Sequence, residues 1–221
     1  MRTAQHVLFV LVTATMLGPM LLTNSIQAQE DERCFPETGQ CISGRFREFW
    51  EQNSGLAVFG YPITPAGQNT DPTIPAPDLI QWSERARLEL HPENDAPYDV
   101  QLGRLGDTRL SQQSRNWWLA FPKANPNTAN YFAETGQAIA PEFIGYWRAN
   151  RLELGDPGVS FRESLGLFGS PFSPAQIETN ANGENVLTQI YERARVELPI
   201  LSNGSETSSA SCIRLTRTIC C

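Results

Sequence analysis

Gln81-Trp82-Ser83-Glu84-Arg85-Ala86-Arg87-Leu88-Glu89-Leu90 returns later in this chain with seven of its ten residues unchanged, and that return decides the reading of the fold. The second occurrence is Gln189-Ile190-Tyr191-Glu192-Arg193-Ala194-Arg195-Val196-Glu197-Leu198. Two other blocks return in the same order. Phe35-x-Glu37-Thr38-Gly39-Gln40-x-Ile42 comes back as Phe132-x-Glu134-Thr135-Gly136-Gln137-x-Ile139, and Phe59-Gly60-x-Pro62 as Phe168-Gly169-x-Pro171. Over positions 34–53, 59–66 and 81–90, 21 of 38 residues are identical to their counterparts. The offset grows from 97 to 109, so the second copy carries a net insertion of 12 residues between its first two blocks. Internal repetition predicts a repeated structural unit. The expected fold is α+β, two tandem copies of a helix-plus-β-hairpin module. A duplicated motif also points away from one asymmetric active site and toward binding or spacing.

Each copy reads alike. A short extended piece ends in the Glu-Thr-Gly turn, and a helix follows from about Ser43 to Asn53. Ile42, Phe46, Phe49 and Trp50 share one helical face, and Ile139, Phe143, Tyr146 and Trp147 repeat it. Pro141 suits the first helical position of the second copy. Phe59-Gly60-Tyr61-Pro62 marks a tight loop. Leu79 to Leu90 alternates, which predicts one strand of a hairpin. Tyr98, Leu102, Leu105 and Leu110 are spaced for a short helix within 97–110, a stretch without counterpart in the second copy. The expected boundaries are a signal peptide at 1–28, module 1 at 29–110, a linker at 111–130, module 2 at 131–199 and a disordered tail at 200–221.

The amino terminus carries Arg2, an uncharged apolar run from Val7 to Leu22, and Ser25-Ile26-Gln27-Ala28 as a cleavage sequence. That pattern is a secretory signal. The run is short for a spanning helix and Gly18-Pro19 interrupts it. No membrane span is expected after cleavage, and the product is expected to be secreted or held in the cell envelope. The chain has net charge −7. An acidic balance argues against nucleic acid as partner, since phosphates call for a basic face. Cys34 and Cys41 bracket the first turn, and both are absent from the second copy, where Tyr131 and Ala138 stand. Their joint absence predicts that they are bonded to each other. Cys212, Cys220 and Cys221 are odd in number, and their pairing stays open.

Beyond the signal the only histidine is His91, so multi-histidine zinc sites and histidine-rich catalysis are excluded. No metal and no cofactor is expected. Carboxylates remain. Alternation places Glu84 among Ile80, Trp82 and Ala86, and Glu192 between Ile190 and Ala194. One reading makes these glutamates general acids. The other makes them scaffold, locking the loop or the turn through backbone N–H groups or an arginine. Duplication favours scaffold. Arg85, Arg87, Arg193 and Arg195 fall on the opposite side, expected as a solvated face paired along the strand with Glu89 and Glu197, or as a row of guanidiniums for wall carboxylates. Trp82, Trp117 and Trp118 have no counterpart in the other copy. They are candidates for stacking on sugar rings or for ordinary packing.

The strings Cys34–Trp50, Gly55–Thr64 and Gln81–Asn94 resemble a repeat found in secreted and envelope proteins of bacteria. Leu167-Phe168-Gly169-x-Pro171 is similar to the LGFP repeats of cell-wall anchoring. The resemblance implies a non-catalytic exported protein whose partner is cell-wall glycan or another envelope protein. Its rivals are a carboxylate-dependent wall hydrolase using Glu84 or Glu192, and a protein–protein adaptor. Amino-terminal sequencing of the exported protein should begin at Gln29 or within a few residues of it; recovery of Arg2 in the secreted form would refute the signal reading.

Overall fold

The Glu37-Thr38-Gly39 turn joins β1 (Glu32–Phe35) to β2 (Gln40–Ser43) in an antiparallel ribbon. The computed structural model describes residues 31–70, 79–158, 160–180, 182–200 and 214–216. The expected signal segment and most of the tail, with its three cysteines, lie outside them. Gly39, at φ +65°, lets its own N–H return to Phe35 O at 2.8 Å. Cys34 and Cys41 face each other across the ribbon with Cα atoms 3.9 Å apart and form a disulfide, as the paired absence predicts. Closing so short a loop contributes about 2–3 kcal/mol in the chain-entropy account.

The molecule is mixed, with five helices and several small antiparallel sheets among the described residues. α1 (Gly44–Gln52) buries Phe46, Phe49 and Trp50. α2 (Gly55–Val58) follows, and Trp50 Nε1 donates to Gly60 O at 3.0 Å. β3 (Leu79–Trp82), β4 (Arg87–Leu90) and β5 (Val100–Leu102) form a sheet in that order. α3 (Leu105–Gln112) leads into 113–130. β6 (Tyr131–Phe132) and β7 (Gln137–Ala138) make a second ribbon. α4 (Pro141–Ala149) starts on its proline, and α5 (Phe161–Phe168) is capped by Ser160, whose hydroxyl accepts from Glu163 N at 3.0 Å. β8 (Gln176–Thr179), β9 (Asn185–Ile190), β10 (Arg195–Pro199) and β11 (Arg214–Thr216) form the second sheet.

Three expectations change. Leu79–Leu90 is a whole hairpin, with its own turn at Ser83–Ala86 closed by Ser83 N donating to Ala86 O at 2.8 Å. The turn resets the period-two phase, which is why alternation misplaced the polar residues. Gln81, Ser83, Arg87 and Glu89 are the buried ones. Residues 97–110 hold β5 and the start of α3 rather than one helix. The third change concerns the edge that the second copy was expected to lack. β5 pairs with β4 through Leu88↔Leu102, and β11 pairs with β10 through Val196↔Leu215. Val196 matches Leu88, so β11 takes the same edge in the same register.

Hydrogen bonds recur at matched positions. Gln81, with no exposure, donates through Nε2 to Cys41 O at 2.7 Å and Thr64 O at 3.0 Å. Gln189, equally buried, donates to Ala138 O at 2.8 Å and Ser173 O at 2.9 Å. Trp82 N donates to Thr64 Oγ1, and Ile190 N to Ser173 Oγ. One apolar core runs through both halves, from Ile42, Phe49 and Phe59 to Phe143, Phe168 and Tyr191. A smaller cluster joins Leu110 and Phe121 to Phe172 and Ile190, with Trp117 against it, so segment 111–130 packs on the second half.

Replacing either glutamine by leucine strands two carbonyl groups in the interior. Gln81→Leu and Gln189→Leu should each lower stability in urea by about 2–4 kcal/mol. Gln113→Ala, on an exposed position, should change it by less than about 0.5 kcal/mol.

Candidate functional site: two hairpin turns and the clefts around them

Each Glu-Arg-Ala-Arg segment forms a turn latched to its Phe-Gly-x-Pro loop. Glu84 N donates to Tyr61 O and Arg85 N to Phe59 O, both at 2.9 Å. Glu192 N to Ser170 O and Arg193 N to Phe168 O repeat this at 2.9 Å. Gly60 and Gly169 each sit at φ +73°, and a Cβ on either would meet the side chain of Glu84 or Glu192. The loop glycine and the turn glutamate therefore require each other.

The two glutamates are half-buried, at the rim of the core rather than inside it. Glu84 Oε2 accepts from Tyr61 N at 3.3 Å. Glu192 is held by Arg104 Nε on one oxygen and Arg193 Nη1 on the other, each at 3.2 Å. The arginines are not a free row. Arg85 donates to Leu56 O at 2.7 Å, closing the end of α2. Arg87 is almost fully buried and donates through Nε to Glu89 Oε1 at 2.7 Å. Arg195 bonds Glu197 and also Glu178 Oε2, the latter at 3.0 Å. Arg87 and Arg195 thus lie inside, not on a solvated face, because the turn reverses the strand before them. Arg193 Nε donates to Leu102 O at 3.2 Å, and Gly106 N to Glu192 O at 3.0 Å, so the second turn receives the chain leaving the first sheet.

The tryptophans divide. Trp82 is half-buried with the Arg87 guanidinium 5.2 Å from its ring. Trp117 stacks on Phe172, centroids 4.5 Å apart. Trp118 is 45% exposed with Lys123 Nζ 4.1 Å from its ring centroid, and Leu119 beside it is 78% exposed. Next to this ridge is an open cleft of about 380 Å³ lined by Asp107, Ser111, Ser114, Arg115, Asn116 and Trp117. A second groove, about 290 Å³, lies along Tyr98, Gln101, Leu152, Leu154 and Arg162. Between the two turns is a smaller, mostly apolar cavity of about 50 Å³. Among the described residues the one cluster of metal-donor types is Glu32 with Cys34 and Cys41, and its sulfurs are spent in the disulfide.

Searches of family models, curated proteins and solved structures find no match to this chain. The site is therefore read from its own chemistry.

Sequence reasoning passed over four side chains that matter here. Glu163 is fully buried and accepts from Leu154 N at 2.9 Å and Asp156 N at 3.1 Å, with Arg151 Nε at 3.4 Å. Its signal was the Ser160-x-x-Glu163 capping pattern. Tyr98 was read only as part of a helical stripe, and Arg109 carried no pattern at all. Asp99 forms a bidentate pair with Arg45, at 2.6 Å from Nε and 2.8 Å from Nη2, tying α1 to the start of β5. The Arg45 guanidinium holds the Asp99 carboxyl below its ordinary value, and Asp99 in turn raises Arg45.

A depressed carboxylate stabilises the fold above its unfolded value, near 3.8, and loses that contribution as pH falls through its lower folded value. Asp99→Asn should cost about 1.5–3 kcal/mol at neutral pH. The gap between variant and native midpoints in urea should close as pH drops below 3.8; a gap independent of pH would contradict the ion pair.

Proposed function

We propose that the chain is an exported, non-catalytic protein made of two copies of one helix-plus-hairpin module. Its role is to bind or space glycan at the bacterial cell surface. The observation that carries this reading is a division of labour. Residues common to both copies are spent internally: the glutamines tie ribbon to loop, and the turn glutamates and arginines latch the hairpins. Aromatic residues outside both copies, Trp117 and Trp118 of the connecting segment, stand beside an open cleft furnished with a carboxylate, an amide and hydroxyls. An indole next to such groups suits a pyranose, whose apolar face stacks while its hydroxyls exchange hydrogen bonds.

The hydrolase alternative needs a free glutamate aimed into a cleft with a second carboxylate at about 5–10 Å. Glu192, with a guanidinium on each oxygen, is poorly placed for proton donation. The exposed Trp118-Leu119 ridge also suits an adaptor that meets another envelope protein.

The test is sedimentation with purified, protein-free cell wall, run beside assays for reducing-sugar release. The native chain should co-sediment without releasing sugar, and Trp118→Ala should weaken retention at least about tenfold. Sugar release abolished by Glu84→Gln would establish the hydrolase instead. Failure to bind bare wall, with retention on wall still carrying its proteins, would establish the adaptor.

A further inference from the structure

We propose that Arg217, the residue after β11, reaches across to Glu84 and clasps the first hairpin turn, as Arg104, just after β5, clasps the second at Glu192. The partner is the carboxy-terminal end of this same chain, and the surface it fits is the rim of the first turn. The inference does not rest on the glycan reading, since it concerns how the two halves hold each other.

The two turns face one another. One cavity is lined by Val58, Arg85 and Ala86 from the first half and by Leu167, Arg193 and Ala194 from the second. These are the same three positions of the repeat, at the offsets of its second and third blocks. A simple translation from one copy to the next brings different positions together. Equivalent positions that meet each other are the mark of a two-fold relation. A contact from one half to the other's turn therefore has a counterpart in the reverse direction.

The contact from the first half to the second turn is direct. Gly103 N donates to Arg87 O at 2.8 Å, so the chain stays in register with β4 one step past β5. The next residue, Arg104, places Nε 3.2 Å from Glu192 Oε1. Arg193 Nε donates back to Leu102 O at 3.2 Å. Strand and facing turn thus exchange one contact each way.

The reverse clasp is half-built. β11 pairs with β10 through Val196↔Leu215 and Arg195↔Thr216, the register of Leu88↔Leu102 and of Arg87 with Gly103. One step further on, Arg217 stands at the place of Arg104. Thr216 lies opposite Arg195, which lines the same cavity as Glu84. Glu84, the counterpart of Glu192, accepts from Tyr61 N at 3.3 Å and has no ion pair among the described residues. Arg85 beside it is turned to Leu56 O. A half-buried carboxylate at that rim gains from a guanidinium, and the register supplies one. The equivalence ends with the arginine. A Cβ on Gly106 would collide with Tyr191 O, and the tail has Ile219 at that step. Loss of the tail frees the edge of β10 and the carboxylate of Glu84 together, and a bare strand edge is what another chain adds to.

The experiment is a double-mutant cycle on the chain from Gln29 to Cys221, read by thermal melting at two protein concentrations tenfold apart. Arg217→Gln and Glu84→Gln should each lower the melting temperature by about 2–4 °C. The double variant should fall no further than the lower of the two, whereas Arg217→Gln with Glu192→Gln should add their separate losses. Glu84→Arg combined with Arg217→Glu should recover part of the loss that either causes alone. The coupling should shrink in about 1 M sodium chloride and be equal at both protein concentrations. Additive losses for Arg217 and Glu84, or coupling of Arg217 to Glu192 instead, would overturn the proposal. So would coupling that vanishes on dilution, which would put the arginine of a second copy on Glu84, or a chain ending at Thr216 that melts with the native one.

Discussion

A carboxamide without access to water opens each hairpin, and the surrounding layers take their positions from it. Gln81 reaches from β3 to the carbonyl of Cys41 in the ribbon and of Thr64 in the loop. Gln189 does the same for Ala138 and Ser173. Backbone bridges such as Gly67↔Ile80 and Pro171↔Tyr191 already join loop to hairpin, and the amide adds the ribbon to them. Each buried carbonyl needs a donor. A glutamine supplies two N–H groups from one rigid amide, so the angle between ribbon, loop and hairpin is fixed by its geometry. Shorter polar residues would not reach, and apolar ones would strand both acceptors.

A similar economy explains why charged residues are buried on the opposite face of each hairpin from that amide. Arg87 with Glu89 and Arg195 with Glu197 lie two apart on one strand, on the same side of the sheet. Both partners are set by one backbone segment, so little freedom is lost in bringing them together. The two ribbons, by contrast, solve one problem differently. The first is closed by the Cys34–Cys41 disulfide. In the second, segment 122–124 straps across instead: Gln137 Nε2 donates to Pro122 O, Lys123 Nζ to Thr135 O and Ala124 N to Gly136 O. The covalent link of the first ribbon has its counterpart in the hydrogen bonds from the connecting segment to the second.

Legibility of the sequence followed the physics of each signal. The helices at 44–52 and 141–149 were readable because their aromatic stripes fall every three or four residues over a full face. The disulfide was readable from the comparison of the two copies. The hairpin at 79–90 was misread because a four-residue turn preserves the appearance of alternation while reversing the chain. Glu84 and Glu192 fall on that turn, so period two could say nothing of their burial. β11 was invisible because Ile213-Arg214-Leu215 echoes Val100-Gln101-Leu102 only weakly and arrives after a longer connection. The clefts were beyond reach for another reason: their walls join α3, the turns and segment 111–117, which meet only through tertiary packing.

The distribution of shared and unshared residues carries the functional argument furthest. A fold that keeps Gln, Glu-Arg-Ala-Arg and Phe-Gly-x-Pro in two places has assigned them to its own coherence, since their donors and acceptors meet inside the molecule. What differs between the copies is free of that duty. Asp107, Arg109, Asn116, Trp117 and Trp118 all lie on α3 and the segment after it, which the second half has no equivalent of among its described residues. That one segment lines the open polar cleft and lends Leu105, Gly106 and Arg109 to the small, mostly apolar cavity between the turns. On the proposed binding role, recognition would belong to the connection between the two similar parts, because the connection is where the chain is not bound to repeat itself.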